Sequence, residues 1–180
     1  MSNMKWMSLV PVLLLVTACG TMSSTNTASM AGAIPASDIA GIVVTANDGE
    51  IQQGQAASSR ATSADVRAFA QMMVTDHTNA LATARDAFSR QGVTPGENET
   101  TRALKDNTPR TITNLATYTG AAYDRKYMQV QVDLHQWLLS ALDTALIPSA
   151  PNAEMRSLLQ TQRMAVAQHL DRARTILGGL

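Results

Sequence analysis

Apolar residues recur along the chain at a spacing of three to four, which is the period of a helix with one buried face. The first such stretch opens at Ser37-Asp38, a capping residue followed by an acid suited to a helix start. Its stripe runs through Ile39, Val43, Ala46, Gly54 and Ala57, carries Glu50, and ends near Arg60. Gly49 and Gly54 weaken this helix by itself, so it requires partners. Ser63 caps a second helix whose stripe is Val66, Phe69, Ala70, Met73, Ala80, Ala84, Ala87 and Phe88, with His77 among them. Gly92 and Pro95-Gly96 end it.

Residues 92–108 are polar and lack periodicity, and read as a long connection. Thr108-Pro109 then reads as a cap and an initiating proline for a short turn carrying Ile112 and Leu115. The third long helix spans about Ala121 to Ile147. Met128, Val130, Val132 and Leu134 alternate as a strand would, but Leu134, Leu138, Ala141, Leu142 and Ala145 have helical spacing, and no neighbouring strands offer a pairing partner. His135 lies at the edge of this apolar face. After a break at Pro148–Asn152, a fourth helix with His169 on its stripe runs to Leu177. Four helices of roughly equal length, about 36 to 40 Å each, with two short turns and one long middle connection predict an all-α four-helix bundle with one long crossover, over residues 37–177.

The N-terminal segment has a different pattern. Lys5 precedes an apolar run from Leu9 to Val16, too short to span a bilayer, and small residues lead to Cys19. Val16-Thr17-Ala18-Cys19 resembles a bacterial lipoprotein signal, in which the cysteine is lipidated and becomes the new N-terminus. Gly20 in place of an aspartate resembles lipoproteins forwarded to the outer membrane. Residues 1–18 are therefore expected to be a signal peptide and residues 19–36 an uncharged flexible tether. The expected location is the periplasmic face of the outer membrane, held by lipid.

Composition narrows the remaining chemistry. Basic and acidic residues number 14 each, which excludes a basic nucleic-acid-binding surface. One cysteine among 180 residues cannot form a disulfide scaffold, and as a lipid anchor it is neither nucleophile nor metal ligand. The chain has no phosphate-binding glycine loop and no nucleophile motif.

The segment Val66–His77 resembles the second helix of a bacterial family called domain of unknown function 4142, regarded as ferritin-like. Ala46-Asn47 through Glu50, Thr119-Gly120 through Tyr123-Asp124-Arg125 with Tyr127, His135, and Gln168-His169-Leu170 extend the resemblance over Ser37 to Leu177. It implies an exported, ferritin-like helical domain. It implies no reaction.

One inward polar residue per helix is the chemical signal: Glu50, His77, His135 and His169. Carboxylates and imidazoles projecting into a bundle are what a metal site is built from, so a divalent ion is the one cofactor this pattern could hold. Counting from the turn near Thr62, Glu50 and His77 differ in height by about 4 to 5 Å. Counting from the turn near Ser149, His135 and His169 differ by about 9 Å, which argues against all four sharing one site. The Glu-x-x-His pairs of a two-metal carboxylate centre are missing, since Val74, Val132 and Val166 stand where the glutamates would be. The plainer alternative is that the histidines are core residues satisfied by Glu50, Tyr123, Tyr127, Asp124 or water. Asp76 and Asp124 are expected to join Tyr123 and Tyr127 in a structural polar network. Asp76 would face solvent or bond an arginine such as Arg67 or Arg110, and Asp124 would pair with an arginine of a neighbouring helix. The leading expectation is a non-enzymatic envelope lipoprotein that binds a protein partner or acts in stress response. The alternative is a metal-binding or redox protein of the ferritin-like superfold.

Overall fold

The computed structural model describes residues 33–180, which form five α-helices and contain no strand. The signal segment, Cys19 and most of the tether lie outside the described residues. The helices are α1 (Ala36–Arg60), α2 (Ala64–Arg90), α3 (Glu99–Leu115), α4 (Gly120–Ala141) and α5 (Ala153–Gly179). No described helix is long and apolar enough to cross a membrane. α1 packs along α2, α4 along α5, and α2 against α5, while α3 crosses over the outside of α1.

Helix ends follow local chemistry. Ser63 caps α2 by accepting from the Val66 N–H, and Asn152 caps α5 by accepting from Met155 N–H at 2.8 Å. α1 starts two residues earlier than a Ser37 cap would give. Pro35 occupies the cap position, its carbonyl accepting from Asp38 and Ile39 N–H at 3.0 Å each, so Ser37 lies within the first turn and does not cap. α4 runs on through a π-helical turn, Leu142–Leu146, closed by Ile147 N–H bonding Leu142 carbonyl at 3.0 Å.

α3 corrects the expected unstructured connection. Asn98 forms a capping box with Thr101, accepting from its N–H at 3.0 Å while Asn98 N–H donates to Thr101 Oγ1 at 2.8 Å. Its buried positions are Thr101, Thr108 and Leu115, seven residues apart, so two of its three inward residues are polar and the hydrophobic period is hidden. Thr108 and Pro109 lie inside this helix rather than starting one, and Thr108 Oγ1 donates to Leu104 carbonyl at 3.1 Å. The glycines of α1 make room for it. A Cβ on Gly41 would sit 1.9 Å from the Gly96 carbonyl oxygen, and one on Gly49 would sit 2.8 Å from Thr108 Oγ1. Residues that weaken α1 in isolation thus let the crossover lie against its backbone.

The core has two apolar clusters. One gathers Ile39, Val43, Phe88, Leu142, Met155 and Leu159, and the other Val66, Phe69, Met73, Tyr127, Met128 and Leu170. On each of α1, α2, α4 and α5, the inward polar residue falls in sequence between the stretches that feed these clusters. The core is therefore interrupted by a buried polar layer.

Asp124 holds one end of the bundle. It is 1% exposed, and its carboxylate accepts from Thr62 N–H at 3.0 Å, Ser63 N–H at 2.7 Å and the Thr62 hydroxyl. The expected arginine clamp is not formed. Arg60 bonds the Ala116 carbonyl and lies over the Tyr123 ring at 5.4 Å, and Arg67 bonds the Ala61 carbonyl. α4 instead caps the α1–α2 turn, whose amides would otherwise be orphaned. Asp124→Ala takes the charged acceptor from two backbone amides and a hydroxyl that are only part-buried, so it should lower unfolding free energy by about 2 kcal/mol. Urea denaturation of the isolated domain measures this, and a loss below about 1 kcal/mol would contradict the assignment.

Candidate metal centre

His77 from α2, His135 from α4 and His169 from α5 meet in the polar layer, at 6%, 0% and 5% exposure. Each presents a nitrogen within 4.8 Å of one from each of the others. Ring centroids lie 5.3 Å apart for His77 and His169, 5.5 Å for His135 and His169, and 6.1 Å for His77 and His135. The three thus share one site, against the expectation from helix heights. The height count followed Cα positions only. Side chains on a helix lean toward its N-terminus, and α4 and α5 run in opposite directions from their joining turn. His135 therefore leans away from its Cα in the direction opposite to His169, which reduces the offset between the rings.

Each imidazole has one nitrogen engaged from outside the cluster. Asn47 Nδ2 donates to the Val43 carbonyl at 2.8 Å, which leaves its Oδ1 to accept from His77 Nδ1–H at 2.9 Å. The Gln131 carbonyl accepts from His135 Nδ1–H at 2.9 Å. Asp76 Oδ2 accepts from His169 Nε2–H at 3.0 Å. All three acceptors fix the proton on the outer nitrogen and leave a bare lone pair on the other. Those nitrogens are His77 Nε2, His135 Nε2 and His169 Nδ1, and all three are buried with no hydrogen-bond partner. An outer acceptor orienting each imidazole is the arrangement that surrounds metal-bound histidines. Burial and the neighbouring imidazoles hold the His77 pKa well below its ordinary value, and burial carries that of His135 down to about 3. Both rings are neutral near pH 7, as metal ligation requires. The cluster has the ligand number and softness for a divalent transition-metal ion.

The remaining predicted residues take other positions. Asp76 is the outer partner of His169 rather than of an arginine, and its side chain also faces solvent, 44% exposed. Glu50 is fully buried and stands outside the three-nitrogen group, with Oε1 at 3.9 Å from His135 Nδ1. Burial pushes its carboxyl up to about 8, and the adjacent Gln131 amide opposes this without forming a full hydrogen bond. Glu50 stands at the outer nitrogen of His135, so the converging ligand atoms are all imidazole nitrogens. Tyr123 and Tyr127 stack at 6.4 Å within the apolar cluster and satisfy none of the histidines. Burial raises the Tyr127 hydroxyl well above its usual range, with Glu50 adding to the effect. Asn47 and Gln131 carry the functional hydrogen bonds that spacing alone did not single out. Asn47 precedes Glu50 by three on the same helix face, and Gln131 precedes His135 by four.

These shifts set the pH dependence of the metal-free protein. Below pH 6.5 the unfolded chain protonates two histidines that the folded chain keeps neutral, so stability falls as pH drops. Between pH 4.5 and 8 the folded state keeps a proton on Glu50 that the unfolded state releases, so this group lowers stability as pH rises. Two histidines outweigh one glutamate on the acid side, and Glu50 acts alone above pH 6.5. Stability of the chelator-treated domain should peak near pH 6.5 and fall by at most about 1.4 kcal/mol per pH unit toward pH 8. Urea midpoints across this range test it. Glu50→Gln should flatten the alkaline limb, and an unchanged slope in that variant would refute the assignment.

The family described as Domain of unknown function (DUF4142) matches residues 21–176, nearly all of the described helical domain and part of the segment before it. Neither a curated protein nor a solved structure matches the chain. The chain belongs to the DUF4142 family.

Proposed function

We propose that this protein binds one divalent transition-metal ion through His77 Nε2, His135 Nε2 and His169 Nδ1. The observation that carries the proposal is the convergence of three buried, outward-anchored lone pairs with no protein partner. A surface that merely docks a partner has no use for such a cluster, so the metal reading takes precedence over a plain binding module. Three imidazoles without thiolate or carboxylate suit zinc, copper, nickel or iron. A three-histidine set also leaves a further coordination position. With no Glu-x-x-His pair and a protonated Glu50, one ion fits better than a two-iron carboxylate centre, even if the bundle descends from the ferritin-like superfold.

The sequence signal supports an envelope setting, in which Cys19 carries lipid and the domain hangs from a tether at the periplasmic face of the outer membrane. We favour metal binding without turnover as the role, with a partner protein in the envelope as the route by which the ion would leave or arrive.

Chain purified without a histidine tag and loaded with Co(II) or Zn(II) should retain about one ion per chain after gel filtration. Less than about 0.1 ion per chain would sink the proposal. Asp76→Ala should weaken affinity by about 10- to 100-fold with the fold intact, because His169 loses its orienting acceptor. Equal affinity in a competition titration would show that Asp76 plays no part. In cells, Cys19→Ser should move the protein from the membrane to the soluble envelope fraction, and persistence in the membrane would refute lipid anchoring.

A further inference from the structure

The three converging nitrogens are sealed in: His77 Nε2, His135 Nε2 and His169 Nδ1 have no surface open to solvent. An ion in water therefore reaches them only if one imidazole moves aside. The three rings are not equally held. His135 is fully buried and bonds the Gln131 carbonyl of its own helix at 2.9 Å. His77 bonds Asn47, which is itself buried and tied to the Val43 carbonyl. His169 bonds Asp76, whose side chain is 44% exposed, so water competes for this anchor and not for the other two.

Room for movement lies on the same side. A half-enclosed cavity of about 50 Å³ is walled by Ala80 of α2, Leu142 and Leu146 of the π-helical turn, and Ala165 of α5. Asp76 and His169 border it, and His135 does not. It lies on the outer side of the cluster, where Asn47 and Asp76 anchor their histidines, and away from the bare nitrogens. One water takes roughly 10 to 15 Å³ of such space, so the cavity has room for about three or four heavy atoms, most of an imidazole ring. Ala165 stands one helical turn before His169, on the side toward which the His169 side chain leans. Alanine there and at Ala80 keeps the space open.

Building on the proposed metal site, we propose that His169 is its gate. The ring breaks from Asp76 and swings into the cavity, which opens a way to His77 Nε2 and His135 Nε2, and it returns as the third ligand. The ion enters on the face between α2 and α5, where it first meets the exposed Asp76 carboxylate. His77 and His135 stay fixed and form the seat.

Stopped-flow mixing of the metal-free protein with Co(II) or Cu(II), read by the visible absorption of the bound ion, tests the gate. The uptake rate should level off as metal concentration rises, at one plateau for both ions, although the two exchange their water at very different speeds. Ala165→Leu fills the space the ring needs. It should slow uptake, and release into a chelator, together by about 10-fold through overpacking of the path, with affinity unchanged. Ala80→Leu narrows the cavity from α2 and is expected to do the same, so either variant reports if the other does not fold. Uptake that keeps rising in proportion to metal, separate plateaus for the two ions, or unaltered rates in a folded leucine variant would overturn the gate and leave the metal site standing. A chain that takes up no metal overturns both, and metal analysis of the gel-filtered protein tells the two failures apart.

Discussion

Three imidazole nitrogens with bare lone pairs face one another in an interior that supplies them no hydrogen. Lone pairs so placed repel, and none of the three rings can turn to relieve the others, because Asn47, the Gln131 carbonyl and Asp76 hold the outer protons. A cation at the centre would convert this repulsion into coordination. The outer acceptors decide the tautomers before any ion arrives, so the geometry is built in advance of binding.

The rest of the bundle accommodates that layer. A continuous hydrophobic core through four long helices would be more stable than one interrupted by Glu50, His77, Gln131, His135 and His169. The apolar clusters above and below carry the packing, and the ends are fastened by polar caps where backbone groups would otherwise be left bare. Asp124 does this across helices, joining α4 to the α1–α2 turn with three bonds. α3 packs on the outside of α1, where Gly41 makes room for the Gly96 backbone just before it and Gly49 for the Thr108 side chain within it. Stability is thus concentrated at the ends and flank, and the middle is left free for polar chemistry.

Much of this was legible from the chain. The four long helices, the Ser63 cap, and the placement of Glu50 and each histidine on an inward face follow from spacing alone. Two things did not follow. α3 was invisible because threonines occupy two of its three buried positions, and a hydrophobic pattern cannot see a buried hydroxyl bonded to its own backbone. The meeting of His135 with His169 was missed because residue counts locate Cα atoms, whereas coordination depends on where side chains lean. In antiparallel helices the leans oppose one another, and an offset measured along the axes overstates the separation of the rings. The partners of Asp76 and Asp124 were misassigned for a related reason: a carboxylate was matched to arginine by charge, while the fold offered an imidazole and a set of orphaned amides.

The same geometry separates this site from a two-metal carboxylate centre built in a helical bundle. Such centres need glutamates three residues before their histidines, and valine fills each of those positions here, closing the interior with apolar bulk. The remaining carboxyl, Glu50, is pushed up to about 8 by burial in the metal-free chain and stands at the outer nitrogen of His135, outside the three converging nitrogens. What is left is a nitrogen-only set of converging ligand atoms. A divalent ion held there would keep its full charge, because imidazoles bring no negative charge to offset it. Valine in place of glutamate three residues before each histidine therefore bears on more than ligand count: it sets the charge of the site.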